Sequence, residues 1–475
     1  MSIPHGVCRL PRGRGEPGAY DAAMDPDRMH VYDPVTADLV LNYVRERLTY
    51  PETSLDGLAD RATIAEALDG LISDAPHDPK HVMQVYADVL ALTILSADSP
   101  RYHAFIPAAP TKASLLFDMV VSAASLQGCS ILEAAGAVAA ENQVLRILAD
   151  LAGLPESAGG VFVSGGSAGN LSALVVARDA ARHRRNDRTT RFRVVVSDQA
   201  HSSIAAALNI ADLDALIVPT ADGQMTRADI ERALNAESAL DDVIAIVATA
   251  GTTNAGIIDD LAAAAECAGA YDWWFHVDGA YGGAGLIVPE FRGRYVGIEH
   301  ADSLVMDPHK WWFAPYDAAA LLYRDPYLAK AVHTQDASYL DVIHGDPTEL
   351  NPSDLAFHLT RRPRGLPLWF SMAVNGLDAY RDAVRRGVEL ADYAAERIRE
   401  HPYAELVVEP QLSVILFRRI GWQPTDYAAW GERLLQQQQA FVTPSGWRGE
   451  TVGRLVFLHP GTTTAMIDAL IATLD

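Results

Sequence analysis

The most constraining feature of this 475-residue chain is a run of seven short apolar segments between residues 161 and 323. They are Val161 to Val163, Phe192 to Val196, Ala215 to Val218, Val243 to Ala248, Trp273 to Val277, Ser303 to Met306 and Ala318 to Tyr323. Helical spacing fills the gaps, over Ala168 to Ala181, Ile204 to Ile210, Ala228 to Leu234 and Leu261 to Gly269. Strands that are apolar on both faces and separated by helices form a mostly parallel sheet covered on both sides. The expected class is therefore α/β, with ligands collecting at the carboxyl ends of the strands.

What surrounds this block is less regular. Residues from about Tyr32 to Leu95 carry helical spacing broken at Pro51, Pro76 and Pro79, with too few apolar faces to fold alone. Ser99 to Pro110 is a proline-punctuated aromatic loop, either a domain connection or a pocket wall. Thr111 to about Leu154 reads as helical. The three arginines of Arg361-Arg-Pro-Arg364 read most simply as a solvated or interdomain cluster. Beyond them a long helical stretch to about Arg399 leads to strands near Glu405 to Val408 and Leu412 to Arg418. A helix through Tyr427 to Gln437, a strand at Arg454 to Leu458 and a last helix from Thr463 complete a small α+β domain. The expected division is 1–98, 99–365 and 366–475.

The residues that come after each strand carry the chemistry. After Val163 comes Ser164-Gly-Gly-Ser-Ala-Gly-Asn170, a glycine turn opening a helix, with Ser167 as a fitting N-cap and backbone N–H groups able to bind an anion such as phosphate. Glycine turns before helices are common, and this one is neither a Walker loop nor G-x-G-x-x-G. The next strand delivers Ser197-Asp-Gln-Ala-His201, where the histidine is an ordinary cap or a functional imidazole. Thr249-Ala-Gly-Thr-Thr follows the fourth strand, and Asp278-Gly-Ala-Tyr the fifth. Asp307-Pro-His-Lys310-Trp-Trp follows the sixth. Lysines are usually surface charges, but one held among aromatics is expected to be pushed toward its neutral, nucleophilic form.

One sheet edge thus collects an anion cradle, an imidazole, a carboxylate and an amine. Pyridoxal phosphate requires those four: a phosphate site, a stacking face, a counter-ion for its ring nitrogen, and a Schiff-base lysine.

Composition narrows the class. A formal charge of −23 argues against nucleic acid or an anionic membrane as partner. Cys8, Cys129 and Cys267 are widely spaced, which suits a reducing compartment and offers no metal framework. Met1 to Gly18 lacks an apolar core for a signal peptide or anchor and is expected to stay without fixed structure. The longest apolar run, Val85 to Leu95, is too short to span a bilayer of ~30 Å. A cytoplasmic enzyme acting on a small molecule is the expectation.

In order and spacing, the motifs Ser164-Gly-Gly-Ser-Ala-Gly-Asn, Asp198-Gln-Ala-His-Ser-Ser, Thr249-Ala-Gly-Thr-Thr, His276-Val-Asp-Gly-Ala-Tyr and Asp307-Pro-His-Lys-Trp resemble those of the pyridoxal-phosphate-dependent group II decarboxylases. Aromatic L-amino acid decarboxylase is the familiar member. The resemblance extends from about Ser99 through Trp369 and more loosely to both ends. It implies the PLP-dependent transferase fold, aspartate aminotransferase-like (fold type I), and a homodimer in which the N-terminal segment exchanges across the interface.

Position by position, the resemblance implies that Lys310 forms the internal Schiff base, His201 stacks on the ring and Asp278 pairs with its nitrogen. Ala280 would lie beneath the ring, Thr249 near the phenolic oxygen, and Gly166, Ser167 and His309 at the phosphate. Tyr339, which the residues alone leave as either a core or a functional tyrosine, matches the mobile-loop tyrosine that reaches the partner's site and protonates the substrate α-carbon. Phe105-Ile106-Pro107 matches the side-chain pocket, and its apolar character suits an aromatic or bulky amino acid better than glutamate, although His103 lies next to it. Two positions depart from the family pattern. The family usually has Asn or a similar polar residue where Asp307 stands, and Ala where Gly279 stands. An acid is awkward beside a phosphate, so Asp307 is left out of the phosphate shell and its role unassigned. The implied activity is decarboxylation of an aromatic amino acid to its amine. An oxygen-using aldehyde synthase, a decarboxylase of another amino acid and a non-catalytic binding protein are the alternatives.

Overall fold

The computed structural model describes residues 29–57, 60–107, 109–343, 346 and 348–475. The expectation for Met1 to Gly18, and Cys8 with it, lies outside these residues. Two units separate: one from Met1–Tyr50 and Ala59–Ala91, the other from Pro51–Leu58 and Leu92–Asp475.

The first unit carries helices α1 (Pro34–Thr49), α2 (Arg61–Leu68) and α3 (Pro79–Val85), each begun by an aspartate N-cap: Asp33, Asp60 and Asp78. Proline in the first turn of α1 and α3 costs nothing there, because that N–H has no helical partner anyway. None of the three helices holds a buried residue.

The second unit begins with α4 (Lys112–Ala123) and α5 (Ile131–Leu151). The sequence spacing runs through both, but the chain breaks between them, where Gly128 N–H is bonded to the Arg361 carbonyl. Then β1 (Gly159–Val163), α6 (Gly166–Arg185), β2 (Arg193–Ser197), α7 (Ser202–Ile210), β3 (Asp214–Val218), α8 (Arg227–Asn235), β4 (Val243–Thr249), α9 (Leu261–Tyr271) and β5 (Trp274–Asp278) alternate as expected. β6 (Ser303–Met306) and β7 (Ala319–Tyr323) complete a seven-stranded sheet of order β1-β7-β6-β5-β4-β2-β3, in which only β7 runs against the others. Every residue of β4 to β7 is buried, so the uninterrupted apolar runs reflect cover on both faces.

After α10 (Pro326–His333), the chain crosses to α11 (Leu366–Glu400), which kinks where Gly376 takes φ 75°. A four-stranded antiparallel sheet of order β10-β11-β9-β8 comes next, from β8 (Ala404–Val408), β9 (Val414–Arg419), β10 (Ser445–Trp447) and β11 (Glu450–Val456). It packs with α12 (Pro424–Gln436) and α13 (Thr464–Ile471) around a core of its own that includes Phe417, Trp430, Leu455 and Phe457.

The arginine cluster corrects the sequence reading. Arg361 is not solvated: it is 2% exposed and grips both oxygens of the buried Glu141 at 2.8 and 2.7 Å. Arg362 pairs with Asp118 and Arg364 with Asp317. A carboxylate from α5, unremarkable in the sequence, makes the burial possible. Among the described residues, no helix is long and apolar enough to cross a membrane.

Candidate active site

Because β7 alone is reversed, β1, β2, β4, β5 and β6 end on the same sheet edge. Thr249 and Asp278 stand opposite each other in register at the ends of β4 and β5. The sixth strand stops at Asp307-Pro308, and a short turn brings Lys310 back to this edge, its N–H bonded to the Asp307 carbonyl.

Asp278 is 4% exposed and held at both oxygens. Ala280 N–H donates to Oδ1 at 3.1 Å, and Asn170 Nδ2 donates to Oδ2 at 3.0 Å. The same Asn170 nitrogen donates to Ser203 Oγ at 3.0 Å, and its oxygen meets His276 Nε2 at 2.9 Å. His276 Nδ1 continues to Ser303 Oγ at 2.8 Å, which also accepts from Trp274 Nε1. Burial pushes the His276 ring down to about 4, so it stays neutral. This network fixes the carboxylate in orientation, which a lone buried charge needs. Asn170, Ser203, His276 and Ser303 lie inside or beside the motifs noticed in the sequence, yet their connection is three-dimensional and shows in no spacing.

His201 caps α7: its Nδ1 accepts from Ser203 N–H at 3.2 Å and lies 2.9 Å from Ser203 Oγ. Accepting there places the neutral ring's proton on Nε2. The cap reading of the sequence therefore holds, and the residue is exposed.

The glycine turn differs from expectation in its cap. Gly165, extended at φ 172°, is the N-cap of α6 and Ser167 is in the first turn with its side chain exposed. No side chain bonds the first N–H groups of α6, so they remain available to an anion. Gly166 sits in a tight place: a Cβ there would stand 3.1 Å from Ala280 Cβ and from both Asp307 carboxylate oxygens, so those neighbours would have to give by a few tenths of an ångström. His309 is buried, its Nδ1 2.7 Å from the Ala318 carbonyl, and burial pulls its ring below the ordinary imidazole range.

The setting of Lys310 reverses one expectation. Its tryptophan neighbours turn into the core, with Trp311 stacked on Tyr281 at 5.3 Å and both indoles almost fully buried. The ammonium instead meets Asp307 Oδ2 at 2.9 Å. Burial pulls Lys310 down, but the charge and hydrogen bond of Asp307, with smaller pulls from Asp278 and Tyr316, outweigh it and leave the lysine above its ordinary value. Without a cofactor the amine is held as an ammonium, because aromatics flank it in sequence while carboxylates face it in space.

Two buried polar atoms at this edge have no partner: Thr249 Oγ1 and Asp307 Oδ1. An unmet hydroxyl beside an amine, a fixed carboxylate and an open helix N-terminus fits a polar group with its own acceptors and an anionic end, which describes pyridoxal phosphate, whereas the unmet Asp307 oxygen is not explained by that fit. Ile106 and Pro107 are buried, Ile106 within the main core. Phe105 is 59% exposed at φ 51°, its ring 6.1 Å from Phe441, and its carbonyl accepts from Arg454 at 2.9 Å. Tyr339 is on the turn Ser338–Ile343 and is 71% exposed.

The pyridoxal-dependent decarboxylase conserved domain matches residues 63–420. An aromatic-L-amino-acid decarboxylase of Bacillus atrophaeus is 29% identical over 450 residues, 90% of each chain. A human histidine decarboxylase is 28% identical, covering 84% of this chain and 62% of its own length. Among solved structures, an Oryza sativa TDC with PLP and tryptamine superimposes with a TM-score of 0.85 over 95% of this chain and 98% of that one, at 23% identity. With a domain match across most of its length and a site that fits the cofactor, the chain belongs to the pyridoxal-dependent decarboxylase family, the PLP-dependent carboxy-lyases of amino acids.

Proposed function

We propose that this chain converts an aromatic L-amino acid to its amine and carbon dioxide, with Lys310, His201 and Asp278 at the reacting centre and Tyr339 supplied by a second copy. The observation that carries the reading is the doubly held Asp278 carboxylate on the same strand-end edge as Lys310 and His201. Pyridoxal phosphate, when bound, supplies an aromatic ring that accepts the electrons released as the carboxylate leaves. Lys310 would hold it covalently through Nζ. Asp278, oriented by the Asn170 and Ala280 donors, would pair with the ring nitrogen and keep a proton on it. His201 offers a flat imidazole fixed by its Ser203 contacts, and Ala280 the opposing surface. The Thr249 hydroxyl has a free hydrogen to donate, and the α6 N-terminus with Gly166, Ser167 and His309 would take the anionic end.

Tyr339 would hold the proton that replaces carbon dioxide at Cα. Its exposure, with Val342 beside it at 69%, favours a position that a second copy of the chain covers, and the unburied helices of the first unit favour a homodimer as well. The free Cys129 and Cys267 suit a reducing, cytoplasmic setting. Aromatic specificity rests on the 29% identical aromatic relative and on the apolar Phe105, Ile106 and Pro107. Screening the twenty amino acids and DOPA for carbon dioxide release and amine product tests it. Tryptophan, tyrosine, phenylalanine or DOPA should respond. Turnover confined to histidine or an acidic amino acid would overturn the aromatic assignment, and abundant peroxide and ammonia with little amine would overturn simple decarboxylation.

A further inference from the structure

Asp259 is a buried acid that the chemistry assigned to the site does not use, yet its backbone and its side chain both close on Thr249. The chain leaves β4, turns between Thr252 and Ile257, where Thr252 N–H donates to the Ile257 carbonyl at 2.7 Å, and pairs Ala250 with Ile258 on its return. Asp259 then lies beside Thr249. Thr249 N–H donates to Asp259 Oδ2 at 2.8 Å, and Asp259 N–H donates to the Thr249 carbonyl at 3.0 Å. Oδ1 accepts from Met225 N–H at 2.8 Å, which ties the same carboxylate to the turn before α8. The residue is 2% exposed, and the charged groups that act on it, Asp198 and Asp260, are both acids.

Burying an acid is costly, and a turn can be closed by backbone bonds alone. The sheet shows what the side chain adds. On the β5 side, β4 pairs as far as Thr249, in register with Asp278, and Ala250 N–H donates to the Asp278 carbonyl at 2.8 Å. On the β2 side the pairing already stops at Val247. The N–H and carbonyl of Thr249 therefore have no β2 partner, and Asp259 takes both. It continues the ladder to the one residue of β4 whose hydroxyl is buried without a partner. Resting on the reading of Thr249 and Asp278 as the contacts to the phenolic oxygen and the ring nitrogen, we propose that Asp259 is a positioning residue for the cofactor. It fixes the end of β4, so that the Thr249 hydroxyl keeps a set place relative to the Asp278 carboxylate and both can meet one ring. Asp259 acts through Thr249 and takes no part in the bond changes.

Burial pushes the Asp259 acid up to about 7, so the test is run at about pH 8.5, where it is ionised. Thr249→Val, Asp259→Ala and the double variant, each as the full chain, are titrated with pyridoxal phosphate. Tryptophan quenching reads affinity, and the visible band of the bound cofactor reads the hydrogen bond at its phenolic oxygen. Thr249→Val should shift the band and lower affinity about two- to tenfold, as for one lost hydrogen bond. Asp259→Ala should shift the band in the same direction, and in the Thr249→Val background it should lower affinity no further. An unshifted band in Asp259→Ala, or losses that add in the double variant, would overturn the proposal, because an acid that only closes the turn acts alike with or without the hydroxyl. Asp259→Ser, which leaves a hydroxyl near the two backbone donors but too short to span them, replaces the alanine variant if that one does not fold, with the same outcomes deciding. The two readings separate cleanly: a band that shifts in Thr249→Val but not in the Asp259 variant sinks only the role of Asp259. A Thr249→Val protein with unchanged band and affinity sinks the Thr249 assignment beneath it, and the proposal with it.

Discussion

Asn170→Ala is the most searching perturbation of the site that leaves every group assigned to the chemistry in place. It removes the donor to Asp278 Oδ2, the donor to Ser203 Oγ and the partner of His276 Nε2, all at about 3 Å and within a region where Asn170 is 1% and His276 0% exposed. A hydrogen bond to a charged group contributes about 1.5–3 kcal/mol, and a buried donor left unmet costs about 1–3 kcal/mol. The three bonds share one side chain and do not simply add. The charged bond alone sets a floor of about 1.5 kcal/mol and its loss with an unmet His276 a ceiling of about 6 kcal/mol, so we expect a loss of about 3 kcal/mol. Denaturant unfolding of the cofactor-free protein by tryptophan fluorescence reads this, with the exposed Asn209→Ala, expected within about 0.5 kcal/mol, as control. Asp278 then keeps only the Ala280 donor, and affinity for pyridoxal phosphate should fall at least about tenfold, a loss of about 1.4 kcal/mol. Asn170→Asp should be worse despite equal volume, because it sets a second carboxylate against Asp278. A stability loss under about 0.5 kcal/mol with unchanged cofactor affinity would refute the claim that this network holds the carboxylate.

Other parts of the molecule give further expected outcomes. Tyr339→Phe should bind cofactor and substrate normally yet form amine about 10²–10⁴-fold more slowly, as for loss of a positioned proton donor, and unchanged amine output in a steady-state assay removes Tyr339 from the reaction. Glu141→Ala leaves the Arg361 guanidinium buried without its carboxylate and should cost about 3–5 kcal/mol in denaturant unfolding, where a neutral result would contradict the burial. His103 and His276 are held near 4 by burial, against an ordinary value of 6.5. Between those values the unfolded chain binds more protons than the folded one, so stability should fall as pH drops from about 6.5 toward 4. His103→Gln should flatten that slope by up to about 1.4 kcal/mol per pH unit, and an unaltered slope would count against a neutral His103.

The parts legible in sequence share a physical origin. The seven strands showed as apolar runs because strands covered on both faces have no polar side to interrupt them, and their ends lie close to the reading. The strand-end residues Thr249, Asp278 and Lys310 were locatable for the same reason, since locating a strand also locates the residues at its carboxyl end. What escaped depends on partners far apart in the chain. Arg361 looked solvated because Glu141 lies 220 residues away, and Lys310 looked neutral because its tryptophans turn inward while Asp307 and Asp278 face it. The break between α4 and α5 is set by the contact of Gly128 with Arg361, and β10 is only three residues long, too short for any alternation to register. Ser167 looked like a cap because serine favours that position, but Gly165 already adopts the extended backbone of the cap before α6 begins.

The central claim is that Lys310 is the amine that carries the cofactor. Loading the protein with pyridoxal phosphate, reducing it with borohydride and mapping the adduct by peptide mass spectrometry tests it in one step. The account predicts a single reduced pyridoxyl group on Lys310 and none in Lys310→Ala. An adduct on another lysine, or a protein that takes up no cofactor, would contradict it.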